Sequence, residues 1–258
     1  MDFISALEKR FGSWAIPNLT LYLMAVQAIG VVMLKGGYVD VADLVLVGGL
    51  VTELGQWTRL FSFMMIPKTL SPLWLFFAFY IFYLMGTTLE REWGVFRYNL
   101  FILIGYLLTI SAAFIAPAEI ITNYYFLGGV FLAFATFRPE YEFRLFFILP
   151  VKVKWLGWLT VALYLYVLLA ADAGSRLCVL AAFANYALFF GRGFIRNLRA
   201  AQRRKAFANE RAEVAAQPFH VCSKCGASDK SDDTLGFRYC STCGKCFCED
   251  HISDHEHG

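Results

Sequence analysis

Apolar residues run through the first two hundred positions in long blocks. Polar residues between them are sparse until the chain changes character near residue 219. The blocks cover residues 16–34, 72–88, 100–116, 123–137, 155–171 and 177–190. A helix that crosses a bilayer needs about 20 mostly apolar residues, so the pattern predicts about six spans. The first block ends in Lys-Gly-Gly without a small-x-small cleavage site, which argues against a removable signal. The fourth is short and contains Gly128-Gly129, which fits a helix buried among others, where small residues allow close backbone approach. A half-apolar connection, residues 36–66, separates the first two blocks.

Composition agrees with the pattern: 59% of residues are hydrophobic and only 17% charged. Ordinary soluble domains carry about a quarter charged residues. The net charge of +3 becomes informative once mapped onto the blocks. One set of loops and ends holds Lys9, Arg10, Arg91, Arg97, Arg138, Arg144, Lys152, Lys154 and the cluster from Arg192 to Lys205. The other set holds only Lys35, Arg59, Lys68 and Arg176. The positive-inside bias then predicts both termini in the cytoplasm. The run "RNLRAAQRRKAFANERAEVAAQ", within residues 196–217, is Ala-rich without Gly or Pro and predicts a helical linker. Anchoring on anionic lipid suits it better than nucleic-acid binding. The stacking aromatics of single-strand binders are reduced there to Phe207. Charge inside the blocks is nearly absent, which argues against a pump or ion-coupled transporter.

The tail, residues 218–258, holds six of the seven cysteines and all four histidines. It is too short for a core of its own, and domains that small usually need metal or disulfides. Disulfides are disfavoured in a reducing cytoplasm, which leaves metal. Cys222-x2-Cys225 and Cys240-x2-Cys243 have zinc-knuckle spacing, and a glycine follows each pair. Cys246, Cys248, His251, His255 and His257 offer a second set of ligands. The order resembles cross-braced two-zinc fingers, in which alternating pairs share an ion. That resemblance implies Cys222 and Cys225 with Cys248 and His251, and Cys240 and Cys243 with His257 and a fourth ligand. The fourth is His255 or Cys246, because the sequence ends at Gly258 before the usual last cysteine. The expectation is one structural zinc, and two if the second set also closes. His220 reads as an exposed bystander. The intervening "GASDKSDDTLGFRY" is mixed in charge and does not choose between a protein partner and another ligand for the finger.

Residues 14–195 resemble the rhomboid superfamily, which includes intramembrane serine proteases and inactive relatives such as the derlins. Arg59 in "QWTRLFSFMMIP" is similar to the family's Trp-Arg signature in the first loop, with Thr58 inserted between Trp57 and Arg59. In "GTTLEREWGVFRYNLF", Gly86, Leu89, Glu90, Gly94, Arg97 and Tyr98 resemble the stretch that ends the second span. "LPVKVKWLGW" resembles the basic, aromatic start of the fifth. The resemblance implies an all-α, six-helix membrane bundle over residues 1–195, followed by the linker and the small zinc-stabilised domain.

It also implies where catalysis would sit. Gly-x-Ser-Gly should open the fourth span, but "YFLGGVFLAF" puts Phe126 at the first Gly and Gly128 at the nucleophile. Trp74 and Ala78 stand at the positions of the family's His and Asn, and the sixth span has no His. No His occurs anywhere before His220. A serine without an adjacent base is a weak nucleophile, so no catalytic residue is assigned. The expectation is a pseudoprotease that binds client transmembrane segments in quality control or trafficking. The finger would recruit a soluble partner, and no nucleic acid is expected. The alternative is a rhomboid-type peptidase with a non-standard site, for which Ser62 and Ser111 are the candidate nucleophiles. Gln27 and Asn185 are the most central polar residues and predict interhelical hydrogen bonds. Cys178 reads as a small buried hydrophobe, and Glu90 as a structural acceptor.

Overall fold

The computed structural model describes residues 3–145, 149–231 and 234–254. The chain divides into two compact units, Met1–Arg192 and Gly193–Gly258.

The first unit opens with the amphipathic α1 (Phe3–Phe11), a 3-10 turn at Gly12–Trp14, and α2 (Leu19–Lys35). The two helical pieces meet at a bend of 65°. Asn18 makes the bend with φ of 55°, a left-handed conformation that Asn tolerates better than most residues. Its backbone N–H donates to Glu90 Oε1 at 2.8 Å, the structural part expected of Glu90. The long connection then folds into three short helices, α3 (Val41–Leu44), α4 (Gly48–Glu53) and α5 (Arg59–Ser62), and a 3-10 turn at Phe63–Met65. Arg59 ties this loop together from a buried position. Its Nη1 donates to the carbonyls of Ala42 and Val45, each at 2.8 Å, and its Nε donates to Gln56 Oε1. A buried guanidinium requires such partners, and the loop's carbonyls supply them.

Two long helices follow. Pro72 starts α6 (Pro72–Trp93) from a position where its missing N–H costs nothing. After Gly94 comes α7 (Val95–Ile115). The fourth apolar block is α8 (Tyr124–Phe137), the most enclosed helix of the unit, with Phe126, Leu127, Val130, Ala133 and Phe134 buried. At about 1.5 Å per residue its 14 residues span about 21 Å, short of a hydrocarbon core about 30 Å thick. An antiparallel hairpin then joins β1 (Glu142–Leu145) to β2 (Leu149–Lys152). Glu140 anchors it by pairing with Lys152 at 2.8 Å and Lys154 at 2.7 Å. The helix α9 (Val153–Ala170) and the 44-residue α10 (Ala173–Ala216) complete the helical part. Thus the basic run expected to be helical continues the last apolar block without a break, and the boundary between the units falls inside α10.

Four helical segments are long and apolar enough to cross a membrane, or five if the bent α1–α2 pair counts as one span. The six expected from the block pattern are not reached on length, because α8 is too short. Only 17% to 39% of each long span is buried inside the unit. The remainder is apolar and outward-facing, as at Trp158, Tyr166 and Leu169 of α9. An apolar surface that extensive does not suit water, and the chain is a multi-pass membrane protein by this measure.

Several polar side chains inside the unit have hydrogen-bond partners. Thr20 Oγ1 lies 2.7 Å from the Tyr98 hydroxyl, and Asn123 Nδ2 donates to the Ile66 carbonyl at 2.8 Å. Asn185 Nδ2 donates to the Phe101 carbonyl at 3.1 Å, while its Oδ1 is buried without a partner. Gln27 is buried in α2, and Cys178 is buried among the apolar residues of α10 and its neighbours.

The second unit carries an antiparallel pair, β3 (Phe237–Tyr239) and β4 (Cys246–Cys248). Its apolar core is Cys222, Phe247 and Cys248, with Phe237 and Ile252 against them.

Candidate metal centre and a pocket in the membrane unit

Two knuckles in the second unit share one backbone design. In the first, the N–H of Gly226 donates to the Cys222 carbonyl at 2.9 Å and that of Cys222 to the Ala227 carbonyl at 2.8 Å. In the second, the N–H of Gly244 donates to the Cys240 carbonyl at 2.9 Å and that of Cys240 to the Lys245 carbonyl at 3.0 Å. Each turn closes through a glycine of positive φ, 72° at Gly226 and 68° at Gly244, where a side chain would be strained.

The first knuckle meets the end of β4 and the turn after it. The ligand atoms of Cys222, Cys225, Cys248 and His251 all lie within 4.8 Å of one another. The Sγ atoms of Cys225 and Cys248 are 3.8 Å apart. Four ligands at about 2.3 Å from a tetrahedral ion would sit about 3.8 Å from each other. His251 Nδ1 lies 3.1 Å from Cys248 Sγ and 3.9 Å from Cys222 Sγ. Three sulfurs and one imidazole therefore form a closed set able to hold a metal ion. These are the four residues that the alternating-pair pattern groups together.

The local field favours thiolate. Burial pushes the Cys222 thiol up, but backbone N–H groups of Cys225, Cys248 and Lys224 outweigh it and hold the thiol down at about 5. Cys248 moves the other way, raised by burial and by its hydrogen bonds with Cys222 and Cys225. Uncompensated by a cation, thiols this close cannot all ionise.

The other sequence candidates are arranged differently. Cys240 and Cys243 stand half-buried on the second knuckle, packed against the small core. Cys246 is buried in β4, and its carbonyl accepts the N–H of Ser223 at 2.9 Å. Among the described residues no second cluster of three or more ligands forms. His255 and His257 lie outside the described residues. His220 is not the exposed bystander expected. Its ring is half-buried and stacks on Phe237 with centroids 6.0 Å apart, edge-on to Tyr239. Two aromatic rings in β3 hold it away from the metal ligands. The alternation of Phe237 and Tyr239 was the signal that sequence reading passed over.

In the membrane unit, Gly128 lies under the ring of Tyr164 from α9. A Cβ built on Gly128 would collide with the Tyr164 hydroxyl, which donates to the Tyr125 carbonyl at 3.1 Å. Any side chain at position 128, serine included, would have to displace Tyr164. Nothing in the sequence pattern predicts that cover, because it joins helices 36 residues apart. Trp74 and Ala78 line a separate cavity of about 330 Å³ with Gln27, Lys68, Phe77 and Leu127. Lys68 reaches over the Tyr124 ring, 5.6 Å from its centroid. The two serines considered as nucleophiles are both engaged with backbone. Ser62 Oγ donates to the Leu44 carbonyl at 3.2 Å and Ser111 Oγ to the Leu107 carbonyl at 2.9 Å. Comparison with known protein families, with characterised proteins and with solved structures finds no match to this chain.

Proposed function

We propose that this chain is a catalytically inactive, rhomboid-like membrane protein of six spans with both termini in the cytoplasm. It binds transmembrane segments of client proteins as a quality-control or trafficking scaffold, and its zinc finger recruits a soluble partner. The observation that carries the reading is the pairing of a covered position with an open one. Tyr164 fills the space a residue-128 side chain would need, while the cavity beside Trp74 and Ala78 stays open. Its walls are apolar except for Gln27, Lys68 and Thr69. Such a cavity offers polar company to a client helix that carries polar residues through the bilayer. The engaged hydroxyls of Ser62 and Ser111 further disfavour the peptidase alternative. In this reading α8 is the fourth of six spans, short because neighbouring helices rather than lipid enclose it, and the bilayer thins over it.

Zinc is the metal of choice for three thiolates and one imidazole, and four protein ligands leave no open coordination position for catalysis. The role is structural.

Site-specific photo-crosslinking tests the client-binding role. A photoreactive residue at Trp74 or Ala78 is expected to capture spanning segments of other membrane proteins. Position 128 is a poor probe site because Tyr164 covers it. No capture from either position would overturn the client reading. Stoichiometric fluorophosphonate labelling of one serine, beside an active rhomboid as control, would overturn the inactive one.

A further inference from the structure

A second cavity of the membrane unit has a different lining. It measures about 650 Å³ and opens between α1, α2, α7 and the loop at Phe61. Leu7, Phe11, Leu19, Leu23, Leu100 and Leu103 form most of its wall. Three lining side chains bear hydrogen-bonding groups, Trp14, Asn99 and Tyr106, and the last two use theirs within the protein. Asn99 accepts the N–H of Ile16 at 3.0 Å and donates to the carbonyls of Ile16 and Val95. The Tyr106 hydroxyl donates to the Leu60 carbonyl at 2.8 Å. Away from the Trp14 indole, the wall therefore has nothing to offer a polar ligand. Water does not settle in a cavity without polar partners, and leaving it empty forfeits dispersion contacts along the whole lining.

The mouth is different. Lys9 and Arg10 end α1, and the Arg10 guanidinium sits 5.5 Å from the centroid of Phe11, one of the wall residues. The nearby Glu8 is already paired with Arg97 at 3.1 Å. Neither Lys9 nor Arg10 forms an ion pair among the described residues. The exposed Trp14 adjoins them, an amphipathic ring suited to the headgroup level of a bilayer. A dry apolar slot with Arg10 over one of its wall residues, and Lys9 beside Arg10 in the same helical turn, matches one molecule abundant around a membrane protein.

We infer that this cavity is a binding site for an anionic glycerophospholipid. An acyl chain would occupy the slot between α2 and α7, and the phosphate would lie against Lys9 and Arg10. The amphipathic α1 would lie along the interface and form one wall. The site requires only that the helices sit in a bilayer, and it stands or falls apart from client binding at Trp74 and Ala78.

The test uses the full chain in nanodiscs of phosphatidylcholine with a minor share of phosphatidylglycerol. Either lipid carries a diazirine in one acyl chain, and adducts are mapped by mass spectrometry. The expected result is phosphatidylglycerol adducts concentrated on residues 7–23 and 96–106. Leu103→Trp, made at a half-exposed wall position, is expected to lower that labelling to the level seen on the outward face of α9. Lys9→Glu with Arg10→Glu is expected to reduce the preference for phosphatidylglycerol by at least about thirtyfold, the size of about two basic residues at an anionic surface. Labelling spread equally over α9, or unchanged by Leu103→Trp, would overturn the site. Loss of labelling in Leu103→Trp with no change of headgroup preference in the double variant would overturn its anionic half. Adducts that join this wall to another protein would replace lipid with a helix as the occupant.

Discussion

The two units are stabilised in opposite ways. In Met1–Arg192 the interior is made by close packing of helices, as where Gly30 of α2 lies against the backbone carbonyl of Met65. Outside that interior most of each long span remains exposed, since no more than 39% of any is buried, and lipid must supply the remaining contacts. In Gly193–Gly258 the apolar core among the described residues is Cys222, Phe247 and Cys248, of which two belong to the cluster able to hold a metal ion. The first unit can lose a contact and repack. The second has so little burial that its core and its metal site are the same atoms. Size decides the difference, because a unit of this length cannot bury enough surface to offset chain entropy.

The comparison can be broken most directly at the metal. Stripping the ion with a strong chelator, or changing Cys225→Ala, is expected to unfold the finger while leaving the membrane unit intact. Structural zinc in finger peptides contributes about 10–16 kcal/mol at neutral pH, far more than this core could replace. Metal analysis together with limited proteolysis confined to residues 218–258 would show it. A finger that resists protease without metal would mean that packing alone holds it. The same change made at Cys246, which is buried but outside the cluster, should leave the metal of the first knuckle in place.

The converse experiment attacks packing. Gly30→Val drives a side chain into the Met65 carbonyl and is expected to destabilise the membrane unit by about 1–3 kcal/mol. Unfolding in mixed detergent would report the loss, with metal content unchanged. A variant as stable as the parent would mean that α2 and the Phe63–Met65 turn separate easily. A smaller effect is expected at Tyr98→Phe, which removes the hydrogen bond to Thr20. Interhelical hydrogen bonds in membranes contribute about 0.6–2 kcal/mol, measurable by the same unfolding assay.

The smallest effect concerns pH at the hairpin. Hydrogen bonds from Lys152 and Lys154 hold the exposed Glu140 carboxyl down at about 2, below its ordinary value of 4.5. A carboxyl depressed on folding stabilises above its unfolded pKa and stops doing so as pH falls through the folded one. The hairpin should therefore loosen between about pH 4.5 and 2, and Glu140→Gln should abolish that step. Amide exchange at Phe143 and Val151, paired across the strands, would follow it. The effect stays small because exposed ion pairs are screened.

The sequence by itself determined where the chain is apolar, and so where helices could cross a membrane, because an uninterrupted block of about 20 residues has few other uses. It also supplied the two cysteine knuckles, since Cys-x2-Cys followed by glycine is a local backbone requirement. Arg59 and Glu90 stood out through the resemblance of their stretches to rhomboid motifs. Where the sequence fell short, the missing information was nonlocal. The blocks suggested six spans, but α8, with 14 residues, proved too short to be counted on length. The hairpin at residues 142–152 was hidden because its anchor is a pairing of Glu140 with lysines 12 and 14 residues away. Tertiary structure alone placed the Tyr164 hydroxyl over Gly128, whereas the cluster of Cys222, Cys225, Cys248 and His251 is the set that the cross-braced resemblance had already implied. Tertiary structure also left the slot beside α1 open. Which side chain fills a space depends on how distant helices approach, and that distance is written in packing rather than in any local pattern of residues.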